Sequence, residues 1–247
     1  MSRHRNTGAP RESQEERIEQ SPAAVRTRNL AKDYGDGPVL LPLDLDVEPG
    51  ERIALIGHNG SGKTTLLRMI TGLLDVTSGS ISVFGHEPGS LEARRHVSYL
   101  SDTPVFYDDL SVWEHLDYTA RLHGVVEWEQ DAADLLGQLG IYERADDLPT
   151  RFSRGLKQKA AIALALIRPF DVLLVDEPFV GLDATGRDAL LALLDTAGER
   201  GATLLVATHE PSFLERVPRV VALRNGARMF DGPARDESAR AWLHSPS

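Results

Sequence analysis

Cysteine is absent from all 247 residues, so no disulfide staples the fold and nothing in it calls for an oxidising compartment. Long hydrophobic runs are absent as well. The longest uninterrupted apolar stretch, Ala160 to Ile167, falls far short of the ~18 to 20 residues that span a bilayer, so the chain is not expected to cross a membrane itself. The beginning of the chain lacks an apolar signal core. Its first ~23 residues set Arg3, Arg5, Arg11 and Arg17 against Glu12, Glu15, Glu16 and Glu19, and they read as a disordered leader over 1–23. Positive charge is in short supply: the formal net charge of -10 repels phosphodiester backbones, and nucleic acid is not expected as the main partner. No internal repeat is visible, which argues against a tandem pair of units. What remains, at 41% hydrophobic residues, is enough for one large domain over 24–247, or a domain carrying an inserted subdomain.

Against these absences stands one dense motif. Residues Gly57 to Thr65 read GHNGSGKTT, a G-x-x-x-x-G-K-[ST] loop between the apolar run Ile53 to Ile56 and the helix-like LLRMITGLL. A strand, a glycine-rich turn and a helix start make a triphosphate cradle. Gly57, Gly60 and Gly62 let the backbone, with Asn59 and Ser61 between them, bring its N–H groups against phosphate oxygens, and the helix start adds the positive end of its dipole. Lys63 is expected to reach the β and γ phosphates, Thr64 to hold Mg²⁺ through its hydroxyl, and Thr65 to complete the loop. The loop alone says nucleotide and no more, because kinases, switches and motors share it.

The pattern around the loop alternates strands and helices. Leu43, Leu45 and Val47 followed by Pro49-Gly50 predict an antiparallel strand leading into Arg52 to Ile56, and further strands are expected at Ser80 to Phe84 and Val97 to Leu100. Ser111 with Glu114 forms a capping box that opens an amphipathic helix through Leu122, and the pattern stays helical to about Arg168. Strands return at Val172 to Val175, Thr203 to Ala207 and Val220 to Leu223, with helices at roughly Gly186 to Arg200 and Pro211 to Val217. Asn225-Gly226 marks a tight turn, and a short end helix is expected over Arg235 to Leu243. The fold class is α/β.

Two strand ends carry more chemistry. In DVLLVDEP a buried parallel strand delivers Asp176 and Glu177 to its carboxyl end, where α/β sheets bind ligands. Asp176 is placed to hold Mg²⁺ through its water shell, and Glu177 to polarise an attacking water. His209, beyond the strand Thr203 to Ala207, projects from the same edge, where it can touch a γ-phosphate. Tyr34, in a glycine-rich hairpin before the loop, is a candidate for stacking on adenine, with core or hairpin packing as the rival role.

With FSRGLKQK at Phe152 to Lys159, the order of motifs resembles that of the ABC ATPases over roughly Val25 to Asp231. Tyr34 matches the adenine-loop aromatic, Gly57 to Thr65 Walker A, Ser153 and Gly155 the signature, and Asp176 and Glu177 Walker B. Gly181-Leu182-Asp183 matches the D-loop and His209 the switch histidine. The resemblance implies a P-loop NTPase with a RecA-like core, an antiparallel β subdomain and an α-helical subdomain over about 111–168. It also implies a head-to-tail dimer sandwiching two ATP molecules, with Ser153 and Gly155 of one chain serving the ATP of the other, and separate integral-membrane permease subunits as partners. Both halves of that composite site are intact in this chain, which favours a homodimer.

Two departures from the family pattern matter. The common LSGGQ is here Phe152-Ser153-Arg154-Gly155-Leu156, similar to exporters of the multidrug, polysaccharide and haem-export type, whereas importers more often show LSGGQ. At the Q-loop, Asp102 stands where Gln or Glu is usual, a shorter carboxylate for the Mg²⁺ contact. Phe106 to Leu110 and Val112 to Leu116 follow it, in the family's groove for a coupling helix of the membrane subunit, with about half of these side chains expected in the core. The resulting expectation is the ATPase of an exporter at the cytoplasmic face of the membrane. The alternatives are a non-transporting ABC ATPase acting in division, assembly or repair, and a P-loop phosphotransferase.

Overall fold

The computed structural model describes residues 22–236. Most of the expected leader and of the end helix lies outside the described residues.

A six-stranded sheet forms the centre. Its strands are β3 (Arg52–Ile56), β5 (Val97–Leu100), β6 (Val172–Asp176), β7 (Thr203–Ala207), β8 (Arg219–Arg224) and β9 (Ala227–Pro233), in the order β5-β6-β7-β3-β8-β9. All neighbours are parallel except the β8–β9 hairpin. Parallel strands covered on both faces need apolar side chains at nearly every position. That is why β6 and β7 are buried from end to end. Alternate residues feed two different cores: Ile53, Leu55, Val172, Leu174 and Leu205 face one, while Ala54, Ile56, Leu173, Val175 and Leu204 face the other.

The first core is closed by α1 (Lys63–Ile70) and by a second, antiparallel sheet of β1 (Val25–Asp33), β2 (Pro38–Val47) and β4 (Ser78–Val83), ordered β2-β1-β4. A short helix, α2 (Leu91–His96), leads from β4 into β5. The second core is closed by α3 (Val112–Leu122), α4 (Glu129–Gln138), α5 (Arg154–Leu166), α6 (Ala184–Glu199) and α7 (Pro211–Leu214). The Ser111–Glu114 capping box is formed in both directions, with Ser111 Oγ accepting from the Glu114 amide at 3.2 Å and Glu114 accepting from the Ser111 amide at 2.8 Å.

Several elements differ from the sequence reading, which anticipates neither the strand β9 nor the helix α2. The middle strand of the small sheet, β1, is not signalled by alternation. It carries Arg26, Arg28 and Lys32, and bulges interrupt its register with β2 between Thr27 and Leu30. Helix α7 stops at Leu214 rather than near 217, in keeping with Pro218, which disfavours helical backbone at the residue before it.

Candidate nucleotide site

The phosphate loop follows β3 and ends at the start of α1. Gly57 is a steric necessity: at φ +148° its Cα lies so close to β8 that an added Cβ would sit 2.2 Å from the Leu223 carbonyl oxygen. Gly62 takes the N-cap position of α1 in left-handed backbone, and no side chain caps the helix. The first-turn amides of Lys63, Thr64 and Thr65 therefore keep their donors for an anion. Asn59 and Gly60 are exposed at the loop's crest, while Ser61, Lys63 and Thr65 are buried. The Ser61 hydroxyl has no hydrogen-bond partner. Lys63 is drawn back over the loop, donating to the Gly57 carbonyl and, at 3.4 Å, to that of His58.

The ends of β6 and β7 converge on this loop. Asp176, the last residue of β6, is fully buried, and neither of its carboxylate oxygens has a hydrogen-bond partner. Burial pushes its pKa up, the nearby Asp102 and Glu177 carboxylates push it the same way, and the Thr64 hydroxyl and Lys63 pull against them. A buried carboxylate left without donors beside a threonine hydroxyl has the chemistry of a hard-cation site, so Thr64 and Asp176 fit Mg²⁺. Glu177 follows in left-handed backbone at φ +44°, a conformation costly for a side-chain-bearing residue. Its amide is tied to the Ala207 carbonyl of β7 at 2.8 Å. Its Oε1 lies 3.4 Å from Lys63 Nζ and 3.3 Å from His209 Nε2. Lys63, Glu177 and His209, from three separate stretches of sequence, thus meet at one carboxylate oxygen.

The other expected residues lie around this centre or apart from it. Asp102 is exposed, with its Oδ1 3.7 Å from Arg68 of α1 and 3.2 Å from the Ser101 hydroxyl, which donates to it. Tyr34 is 57% exposed in the β1–β2 hairpin, and Lys32 Nζ sits 5.1 Å from its ring centroid, so the ring is available to a ligand and is not core. Ser153 is exposed as the N-cap of α5 and accepts from the Leu156 amide at 3.4 Å. Among the described residues no hydrogen bond or ion pair joins Ser153 or Gly155 to the phosphate loop. The Asp183 carboxylate caps α6 through the Gly186 amide at 2.9 Å and pairs with Lys159 at 3.2 Å; the amide and then the lysine hold its pKa down.

The expected partner surface divides. Val112, His115 and Leu116 belong to the interior, and His115 Nε2 accepts from the Tyr107 amide at 2.9 Å. Val105 and Tyr107 remain exposed. Beside them a cavity of about 540 Å³ is lined by Asp102, Thr103, Pro104, Phe152, Arg154, Lys157 and Gln158.

Sequence reading missed the support beneath the loop. The β8–β9 turn donates from the Gly226 amide to the Ser61 carbonyl at 3.2 Å, and Gly226 in turn accepts from the Leu41 amide at 2.9 Å. Asn225-Gly226 was legible as a turn, but its role as a buttress depends on β8 lying next to β3, which the local sequence does not encode.

A glycine-rich loop between strand and helix, a histidine beyond the neighbouring strand and two acids at the end of the strand after it define a P-loop nucleoside-triphosphatase of mixed α/β build. The family model described as ABC transporter matches residues 40–180. The chain belongs to the ABC transporter family as an ATP-binding domain, and it is an ATPase. It is 33% identical over 210 residues to the SkfA peptide export ATP-binding protein SkfE of Bacillus subtilis, covering 84% of this chain and 88% of that protein. It is 35% identical over 212 residues to the aliphatic sulfonates import ATP-binding protein SsuB of Cupriavidus necator, covering 84% and 68%. A solved ATP-binding subunit of an ABC transporter superposes with a TM-score of 0.81 at 32% identity, covering 91% of this chain and 95% of the other.

Proposed function

We propose that this subunit drives export through separate membrane permease subunits by ATP-dependent closure of a head-to-tail homodimer at the cytoplasmic face of the membrane. The observation that carries the reading is the Glu177 carboxylate, held in left-handed backbone between Lys63 and His209 and directly after the buried Asp176. Its Oε1 accepts no hydrogen bond and lies within ion-pair distance of both neighbours, and the strained backbone fixes where it points.

Each residue then has a task. The loop from Gly57 through Asn59, Gly60, Ser61 and Gly62 to Thr65 wraps the phosphates of ATP with backbone amides, and Tyr34 stacks on the adenine. Lys63 exchanges Glu177 for phosphate oxygens when ATP enters, which frees the glutamate to take a proton from the attacking water. His209 holds the glutamate from the other side. Bound Mg²⁺ supplies charge neutralisation at the phosphate oxygens. Thr64 and Asp176 would hold it, with Asp102 at its margin once released from Arg68. Ser153 and Gly155, on the exposed start of α5, serve the ATP of the second chain, and Asp183 shapes the adjoining D-loop.

The 540 Å³ cavity with exposed Val105 and Tyr107 beside it is the surface offered to a permease segment. Export is favoured by Ser153-Arg154-Gly155 and by the export-named relative; a vesicle transport assay with the copurified permease decides the direction. For the catalytic assignment the test is Glu177→Gln. Hydrolysis is expected to fall roughly 10²- to 10⁴-fold while an ATP-stabilised dimer accumulates. Normal turnover with no such dimer contradicts the role given to Glu177.

A further inference from the structure

Helix α5 does more inside its own chain than present Ser153 at an exposed end. One turn into the helix, Gln158 is 4% exposed, and its amide donates to the carbonyl of Pro178 at 3.1 Å. Pro178 immediately follows Glu177, so this bond grips the catalytic segment at the next peptide. Lys159, also buried, pairs with Asp183 at 3.2 Å and grips the same segment five residues further on. Between these two contacts Gly155 packs so tightly that an added Cβ would lie 2.6 Å from the Gly181 carbonyl oxygen. On its far side the segment is held by Phe179, whose ring lies 6.3 Å from that of Phe213 in α7, just beyond His209.

The stretch from Glu177 to Asp183 is thus clamped between the start of α5 and α7, while its first residue keeps an unfavourable backbone conformation. Strained backbone persists only where the surroundings over-determine it. Within hydrogen-bond reach of the Pro178 carbonyl, Gln158 is the buried side chain that supplies a donor, and without it that oxygen loses its partner.

The geometry points to Gln158 as a positioning residue for Glu177, acting through the Pro178 carbonyl. It touches neither substrate nor metal. Its effect is to hold the peptide after Glu177 so that the carboxylate stays on the line between Lys63 and His209. The inference rests on the proposed role of Glu177, and its test separates the two.

Gln158→Met keeps the length and most of the volume of the side chain and removes the donor. With folding checked by thermal melting, kcat is expected to fall roughly 10- to 100-fold, as for a catalytic group displaced by about an ångström, while binding of a fluorescent ATP analogue stays that of the unmodified protein. Hydrogen exchange is expected to quicken over residues 179–183 and to remain slow within α5. Adding Gln158→Met to Glu177→Gln is expected to cost nothing further, because the first residue works through the second. Should the methionine variant not fold, Gln158→Asn, whose amide falls one methylene short, is expected to lower kcat in the same direction. A kcat within twofold of the unmodified protein in the folded variant overturns the inference, as does a double variant slower than Glu177→Gln alone. If Glu177→Gln by itself hydrolyses normally, the reading of the catalytic centre fails instead.

Discussion

Two helix starts of this molecule, those of α1 and α5, differ in what surrounds them. At α1 the chain supplies a loop, a buried lysine, a buried aspartate without donors, and a glutamate held by two partners. At α5 the chain supplies an exposed serine cap, and its neighbours hold the helix to the catalytic segment beside the open cavity lined by Arg154 and Lys157. Both are helix N-termini, but that of α1 has no side-chain cap, whereas Ser153 caps that of α5. The contrast shows that a helix start becomes a complete site only when other elements bring their strand ends to it. Among the described residues, no hydrogen bond or ion pair joins Ser153 to a strand end.

The largest expected effect comes from altering the exposed end alone. Ser153→Asp keeps a good N-cap, so α5 and the clamp on the catalytic segment remain, but it sets a carboxylate against the phosphate of the other chain's ATP. ATP binding to the isolated subunit is expected to be retained and hydrolysis to fall by roughly 10²-fold or more, the scale of losing a phosphate-facing donor. Hydrolysis that stays normal in this variant would place the active pocket wholly within one chain.

A smaller effect of opposite sign is expected at the enclosed end. Burial raises the Asp176 pKa, so in the ligand-free protein its ionised form carries a penalty. A carboxyl whose folded pKa lies above its unfolded value lowers stability as pH rises from the ordinary carboxylate range through the raised value, and the cost is fully present above it. Asp176→Asn removes that cost. The ligand-free variant is expected to gain on the order of 1 kcal/mol at neutral pH, a rise in Tm of about 2 to 4 °C, while losing Mg²⁺-dependent hydrolysis. The gain is expected to vanish in acid, where the native carboxyl is already protonated. A lower Tm in the asparagine variant at neutral pH would mean that the aspartate is stabilising, contrary to its unpartnered oxygens.

The same contrast governs how much the sequence disclosed. Gly57 to Thr65, Asp176, Glu177 and His209 were legible because each sits at the end of an apolar strand whose pattern locates it on the carboxyl edge of the sheet. The Ser111–Glu114 box was legible because its chemistry is confined to four residues. The middle strand β1 was hidden by its charges and bulges, and the fate of Val112 and Leu116 depended on how α3 packs against α5. The grip of Gln158 on Pro178 spans twenty residues of chain, and the buttress of Gly226 under Ser61 depends on the order of the strands. Local pattern carries neither, because both arise from tertiary neighbours.

The central claim is that each ATP pocket joins the loop of one chain to Ser153 and Gly155 of another, and mixing two inactive variants tests it most directly. Lys63→Ala spoils the loop and Ser153→Asp spoils the signature, so neither homodimer contains an intact pocket. A mixed dimer has one pocket with both faults and one with none. The account predicts that combining the two proteins restores ATP hydrolysis well above the sum of the separate preparations; no restoration, with mixed dimers shown to form, would contradict it.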